Sequence, residues 1–297
     1  DIDKLNKITD GGIPKKTLNI IAAPTGGGKS LWLCHHAASC IRQNRNVLYI
    51  TLEMGEERIA ERIDANLMNV PLNNMRLMNE FEYSKRFAKA TQGIKGKLII
   101  KEYPTGTASS LNFRALLEEL KLKKSFIPEV IIVDYINICA SSRYKANANT
   151  NSYTMVKAIA EELRGLAVEQ NVQLFSATQL NRSGYSNSDV DLTNTAESMG
   201  LPATADFFIA LISTDELSQL NQVLFKQLKN RFNDINIDEK FVVGLDKPKM
   251  KFYNVSEAAQ EDILTNKVEK YETETEYDEV ETSPFVPTKN PKFNDWK

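Results

Sequence analysis

The 297-residue sequence predicts an α/β fold: a mostly parallel, twisted sheet flanked by helices, with antiparallel edge strands near its C-terminal end. Three observations predict it. Apolar, β-rich runs alternate with helical patterns through residue 177, the rhythm of βαβ units. Val130-Ile131-Ile132-Val133 is continuously apolar, as a central parallel strand buried on both faces must be. The later runs follow one another without helical patterns between them, which suits antiparallel strands added at one edge.

Residues 1–16 are polar and carry the turn cluster Asp10-Gly11-Gly12-Ile13-Pro14, so they read as a linker into the first strand. That strand is Leu18-Asn19-Ile20-Ile21-Ala22. A glycine-rich turn follows, and Leu31-Trp32-Leu33 with Ala37 and Ala38 starts a helix that runs to about Gln43. Val47–Thr51 is a strand, Glu56–Met68 a helix and Leu98–Ile100 a strand. Leu111–Lys124 is a helix that Ser109 or Ser110 can cap. After the central strand come a helix over Tyr153–Gln170 and a strand over Val172–Ala177. Phe207–Ile212, Val223–Leu228, Phe241–Leu245 and Met250–Asn254 are the late strands. The polar stretches 141–152 and 181–195 are long for α/β connections and leave from the carboxyl ends of strands, where ligand sites gather. Residues 17–265 are expected to form one domain. The Glu-, Thr- and Pro-rich stretch 266–297 reads as a disordered acidic tail.

The turn Ala23-Pro24-Thr25-Gly26-Gly27-Gly28-Lys29-Ser30 carries the most chemistry. A strand that ends in such a turn and enters a helix through Gly-Lys-Ser is a phosphate cradle. Backbone N–H groups and the positive end of the helix dipole converge on an anion. Lys29 is placed to reach the β- and γ-phosphates and Ser30 to bind Mg²⁺, so the chain reads as a nucleotide hydrolase. Asp134 ends the central strand, where a carboxylate holds Mg²⁺ through water. Glu53, just past the second strand, reads two ways: as the group that orients and deprotonates the attacking water, or as an acid that opens the next helix. Gln179, at a strand end, reads as a γ-phosphate sensor or as a polar strand terminus.

Composition excludes several classes. Ten Pro and 13 Gly do not describe a fibre, and no apolar stretch is long enough to span a membrane. Three cysteines without a CxxC pair fit a reducing cytosol. Cys34-His35-His36 and Cys40 lie on one helix at a spacing that does not gather four zinc ligands, so they read as packing residues. The lack of an initiator Met and of a signal peptide reads as a fragment or processed product. Net charge is −2; the tail holds eight acids and five bases, which leaves +1 for residues 1–265. A nucleic-acid role would need basic groups concentrated in a channel.

In their order, these elements resemble the RecA-like ATPase domain of DnaB-type hexameric replicative DNA helicases, in the T-even phage branch. The likeness runs from the opening residues through about Asn254. It rests on the phosphate loop, Thr51-Leu-Glu-Met54, Val133-Asp-Tyr135, Thr178-Gln-Leu-Asn-Arg182, Ala205-Asp206 and Lys229-Asn-Arg231. The resemblance implies a homo-hexameric ring that holds ATP and Mg²⁺ between subunits, moves 5′ to 3′ on single-stranded DNA in its pore and works in the cytoplasm. It also implies a primase, a helicase loader and a single-stranded DNA-binding protein as partners. Lys29, Ser30, Glu53, Asp134 and Gln179 then take the roles above, and Arg62 packs on the nucleotide base. Arg231 becomes an arginine finger that reaches the next subunit's site, with Lys229 beside it. On spacing alone, Lys229 and Arg231 read as two solvated bases on an edge strand.

The DNA-contacting positions implied are Arg182 and the segment Glu197-Ser198-Met199-Gly200. The family has Arg where Ala196 stands and a Gly-like position where Met199 stands. Beyond the acidic run, Phe285 and Trp296 suit docking to another replication protein. A RecA-type recombinase or ATP-gated filament shares this fold and is the alternative reading. A small-molecule kinase would need an acceptor pocket and a lid, for which the sequence shows no signal.

Overall fold

The computed structural model describes residues 2–144, 151–180, 200–258 and 260. Among them lie the strands β1 (Thr17–Ala23), β2 (Val47–Thr51), β3 (Leu98–Glu102), β4 (Val130–Asp134) and β5 (Gln173–Gln179). β6 (Phe207–Ile212), β7 (Gln222–Asn230), β8 (Lys240–Asp246) and β9 (Lys251–Asn254) follow. They form one sheet in the order β3-β2-β4-β5-β1-β6-β7-β8-β9. The first six strands run parallel, and β7, β8 and β9 are added antiparallel at one edge, as the helix-free late runs predict.

The principal helices are α1 (Asp3–Ile8), α2 (Lys29–Arg42), α3 (Glu56–Met68), α4 (Leu72–Arg76), α5 (Glu80–Ala90), α6 (Ser110–Lys124) and α7 (Ser152–Gln170). Short helices α8 (Gly200–Thr204) and α9 (Asp215–Gln219) flank β6. β4 is buried along its whole length: α2 packs against it, and Ile131 and Val133, which point to the opposite face from Val130 and Ile132, are fully buried as well. Tyr49, Ile132, Phe175 and Ile21 share one face with the α2 residues Trp32, Leu33 and Ala37. The alternate residues Leu48, Ile131, Leu174 and Ile20 are also fully buried, and α7 packs against β1 and β5.

Two findings change the expected boundaries. Residues 1–16, expected as a linker, contribute α1, and Ile2 and Ile8 are buried in the main core. Lys4 and Lys7 pair with Asp238 at 2.8 and 2.7 Å, which ties this helix to the turn before β8. The last strand begins at Lys251, not Met250: Met250 has φ 51° and closes a 3₁₀ turn over Lys247–Lys249. α4 and α5 occupy a stretch with no expected element. α5 buries no residue fully, but Tyr83, Phe87 and Ala90 recur at helical spacing, and Phe87 packs partly buried against the main core while Tyr83 packs against a smaller cluster.

The compact unit is Asp1–Val255, and Ser256–Lys297 separates from it as a second unit. The expected tail, 266–297, lies outside the described residues, as do Phe285 and Trp296.

Aromatic packing joins α2 to the antiparallel edge. Trp32 meets Phe225 and Phe252 edge-on, with ring centroids 5.1 and 5.2 Å apart. His35 Nδ1 accepts the Phe252 N–H at 3.3 Å, and Asn66 of α3 donates to the Met250 carbonyl. Burial, with help from the Arg42 charge, pushes His35 down to about 3, so its ring is neutral and able to accept. The phosphate-loop helix is thereby fixed to the turn that carries Met250.

Candidate nucleotide site

β1 delivers the chain to the glycine turn, and parallel pairing decides what surrounds it. Ala23 lies opposite Gln179 in the β1–β5 register, and Thr51 lies opposite Asp134 in the β2–β4 register. The carboxyl ends of four adjacent parallel strands therefore meet at one level, the level at which ligands bind in open α/β sheets.

The turn needs its glycines for different reasons. Gly26 and Gly28 adopt φ 74° and 96°, a region that side chains with a Cβ avoid. At Gly27 a Cβ would stand 2.8 Å from the Pro24 ring. Gly28 caps α2, and its carbonyl accepts the Trp32 N–H at 2.8 Å. The N-terminus of a fourteen-residue helix thus points into the turn. Ala23, at the position where the usual motif has Gly, is buried at the end of β1.

A cavity of about 290 Å³ opens here. Thr25, Gly26, Gly28, Lys29 and Ser30 line one side, and Glu53, Arg62 and Gln179 come from three other elements. Sequence reasoning named all of these. Pro24 and Gly27 shape the turn without lining the cavity. The Gln179 amide donates to Thr25 Oγ1 at 2.6 Å, so the strand-end amide rests on the phosphate loop itself. Lys29 Nζ donates to the Ala23 and Pro24 carbonyls at 3.2 and 3.0 Å.

Asp134 is fully buried beside the cavity. Ser30 Oγ donates to its Oδ1 at 3.3 Å and the Tyr49 hydroxyl to its Oδ2 at 2.8 Å. Burial pushes the carboxyl up. The bonds from Tyr49 and Ser30 offset part of that, the Glu53 charge raises it further and Arg62 draws it back. A hydroxyl and a carboxylate that converge in this way, with the carboxylate short of positive charge, are hard oxygen donors suited to Mg²⁺.

Tyr135, Leu31 and Met250 also line the cavity and were missed. Tyr135 stands next to Asp134 at the same strand end, but a phenol there carries no phosphate or metal chemistry that would single it out in the sequence. Met250 lies more than two hundred residues from the loop, and only the sheet's edge brings it there.

Lys229 and Arg231 are not among the residues that line this cavity. Both stand at the end of β7. Arg231 bonds Asp206 Oδ1 at 2.9 Å, and Lys229 Nζ donates to the Pro202 and Ala203 carbonyls. Arg182, Glu197, Ser198 and Met199 lie outside the described residues, and Gly200 is buried at the start of α8. Cys34, His35, His36 and Cys40 all pack inside the domain. His36 approaches the Cys40 thiol at 3.5 Å, and among the described residues no group of three His, Cys, Asp or Glu is arranged to hold a metal.

The strand order and the loop at the end of β1 define a P-loop nucleotide-binding domain of the RecA-like class. The chain belongs to the DnaB-like helicase C-terminal domain family, which matches residues 1–243. It is 47% identical over 256 residues to the DnaB-like replicative helicase of Enterobacteria phage T4, an alignment that takes in 85% of this chain and 54% of that protein. The chain therefore spans about half the length of that relative. In fold it is similar to a DnaB-like replicative helicase whose structure was described with its interactions with primase (TM-score 0.70, 18% identity, 86% of this chain and 62% of that one). A second solved structure, of an ATPase domain, is similar to nearly the same degree (TM-score 0.69, 18% identity, 85% of this chain and 89% of that one). No helix among the described residues is long and apolar enough to cross a membrane.

Proposed function

We propose that this chain is the motor domain of a ring-shaped replicative DNA helicase. It couples ATP hydrolysis between subunits to 5′–3′ movement along single-stranded DNA and to duplex unwinding. The observation that carries this reading is the convergence of the phosphate loop, Glu53, Arg62 and Gln179 on one cavity in a chain of this family.

The roles follow from chemistry. The loop N–H groups and Lys29 bind the phosphates, and Glu53 orients and deprotonates the attacking water. Arg62, with Tyr135 and Met250, faces the base. Ser30 and Asp134 would hold Mg²⁺, which supplies charge neutralisation to the phosphates when bound. Gln179 carries the state of the loop into the segment that bears Arg182. That segment and the stretch 197–200 grip the DNA backbone, contacts that position without reading sequence.

Arg231 acts on the neighbouring subunit's nucleotide, with Lys229 beside it. Their absence from this chain's own cavity supports action in trans, and a planar guanidinium suits the charge of a transferring phosphoryl group. The working assembly is a homo-hexamer around single-stranded DNA. Primase, a helicase loader and a single-stranded DNA-binding protein are its partners, in the cytoplasm of the host cell.

The test is subunit mixing in the full-length protein. Arg231→Ala and Glu53→Ala rings should each hydrolyse ATP poorly, and mixed rings should recover DNA-stimulated turnover. Recovery that never appears overturns the trans site. Failure of wild-type rings to displace a strand from forked DNA overturns the helicase reading.

A further inference from the structure

We propose that Tyr49 is a positioning residue of the nucleotide site: its buried hydroxyl fixes the rotation of the Asp134 carboxylate, which leaves Oδ1 to share with Ser30 in holding the cation of a metal–nucleotide complex. This rests on the nucleotide-site reading above.

The strand pattern does not require a hydroxyl at this position. Val47–Thr51 is buried along its whole length, and a purely apolar side chain would serve the core as well. The phenol is fully buried, and a buried hydroxyl must find a partner. Register supplies one. Tyr49 pairs with Ile132 and Thr51 with Asp134, so Tyr49 and Asp134 lie on one face, two positions apart along adjacent strands. The ring leans along β2, and its hydroxyl donates to Asp134 Oδ2 at 2.8 Å. The Cys34 thiol, a weak donor from α2, approaches the phenol oxygen at 3.9 Å. One hydroxyl therefore links β2, β4 and the helix that carries Lys29 and Ser30.

The consequence is directional. Asp134 is shut off from water, so its Oδ2 has only protein donors to turn to. While Tyr49 holds Oδ2, the carboxylate cannot swing that oxygen toward Ser30. A ligand for a small, geometrically demanding cation gains from such a fixed orientation.

The test is Tyr49→Phe in the full-length protein, which removes one oxygen and keeps the ring. The probe is a fluorescent ADP analogue, titrated with Mg²⁺ and measured again in EDTA, without turnover. The Mg²⁺ midpoint for tight binding should rise about tenfold, the effect of losing one charge-assisted bond of about 1.4 kcal/mol, while metal-free affinity stays within about twofold. An unmoved midpoint overturns the role, and so does an equal loss with and without Mg²⁺, the mark of a merely structural tyrosine. A wild-type chain whose affinity ignores Mg²⁺ overturns the nucleotide-site reading itself. Should Tyr49→Phe fail to fold, 3,5-difluorotyrosine at the same position keeps the shape and alters only donor strength. A midpoint displaced by about threefold or more then supports the role, and an unmoved one overturns it.

Discussion

Asp206→Asn should destabilise the chain by about 2–3 kcal/mol at pH 7, at or just below the foot of the roughly 3–5 kcal/mol range for breaking a buried ion pair. The Asp206 side chain is 5% exposed and gathers four donors. Arg164 grips it with two bonds of 3.0 Å, Arg231 adds one of 2.9 Å and the Leu18 N–H one of 3.1 Å. The amide keeps the shape but turns an N–H₂ toward a guanidinium. The cost falls below that range because the Arg164 and Arg231 side chains are 37% and 48% exposed, so water can take up part of their freed charge. Burial pushes the Asp206 carboxyl up. The bonds from Arg164, the Leu18 N–H and Arg231 outweigh it and hold the group below the usual carboxylate range. A lowered folded value gives stability that is complete above the unfolded value, about 3.9, and is lost as pH falls through the folded one. Urea unfolding followed by circular dichroism should therefore show a constant gap between wild type and variant from about pH 8 to pH 5, closing below about pH 4. A gap under about 0.5 kcal/mol at pH 7, or one that widens in acid, would refute the reasoning.

Gly28→Ala forces a Cβ into the left-handed region at the cap of α2, so stability should fall by about 1–2 kcal/mol and ADP should no longer raise the melting temperature. Gln179→Ala removes an exposed bond to Thr25, so stability should stay within about 0.5 kcal/mol while stimulation of ATP hydrolysis by single-stranded DNA is lost. Glu162 accepts bonds from the Ser110, Ser141 and Ser142 hydroxyls and from the Ser142 N–H. Its replacement by Ala should cost about 2 kcal/mol and speed tryptic cleavage at Arg143, measured by limited proteolysis.

Much of the domain was legible because its signals are local. The phosphate loop announces itself in eight consecutive residues, since the backbone angles, the lysine and the hydroxyl are all needed within one turn and the start of one helix. β4 could be read from four apolar residues because burial on both faces removes any alternation. Glu53, Asp134 and Gln179 could be named because each stands at or just past the end of a readable strand, and parallel strands gather such ends at one side. α1 was not legible, being six residues long in a polar stretch. α5 was readable in the i, i+4 spacing of Tyr83 and Phe87 but went unassigned, because the exposed Phe81 and the charged residues between them blur that stripe.

By itself the sequence determined that a loop with the pattern of a phosphate cradle follows the carboxyl end of a parallel strand, and which carboxylates and amide stand at the neighbouring strand ends. Only the tertiary structure decided that Tyr135 and Met250 complete the cavity, that Tyr49 holds Asp134, and that Asp206 binds Arg231 to Arg164. Periodicity records which face of an element is buried. It holds no record of register between strands or of which side chains meet across a sheet, and those are set by how separate elements pack.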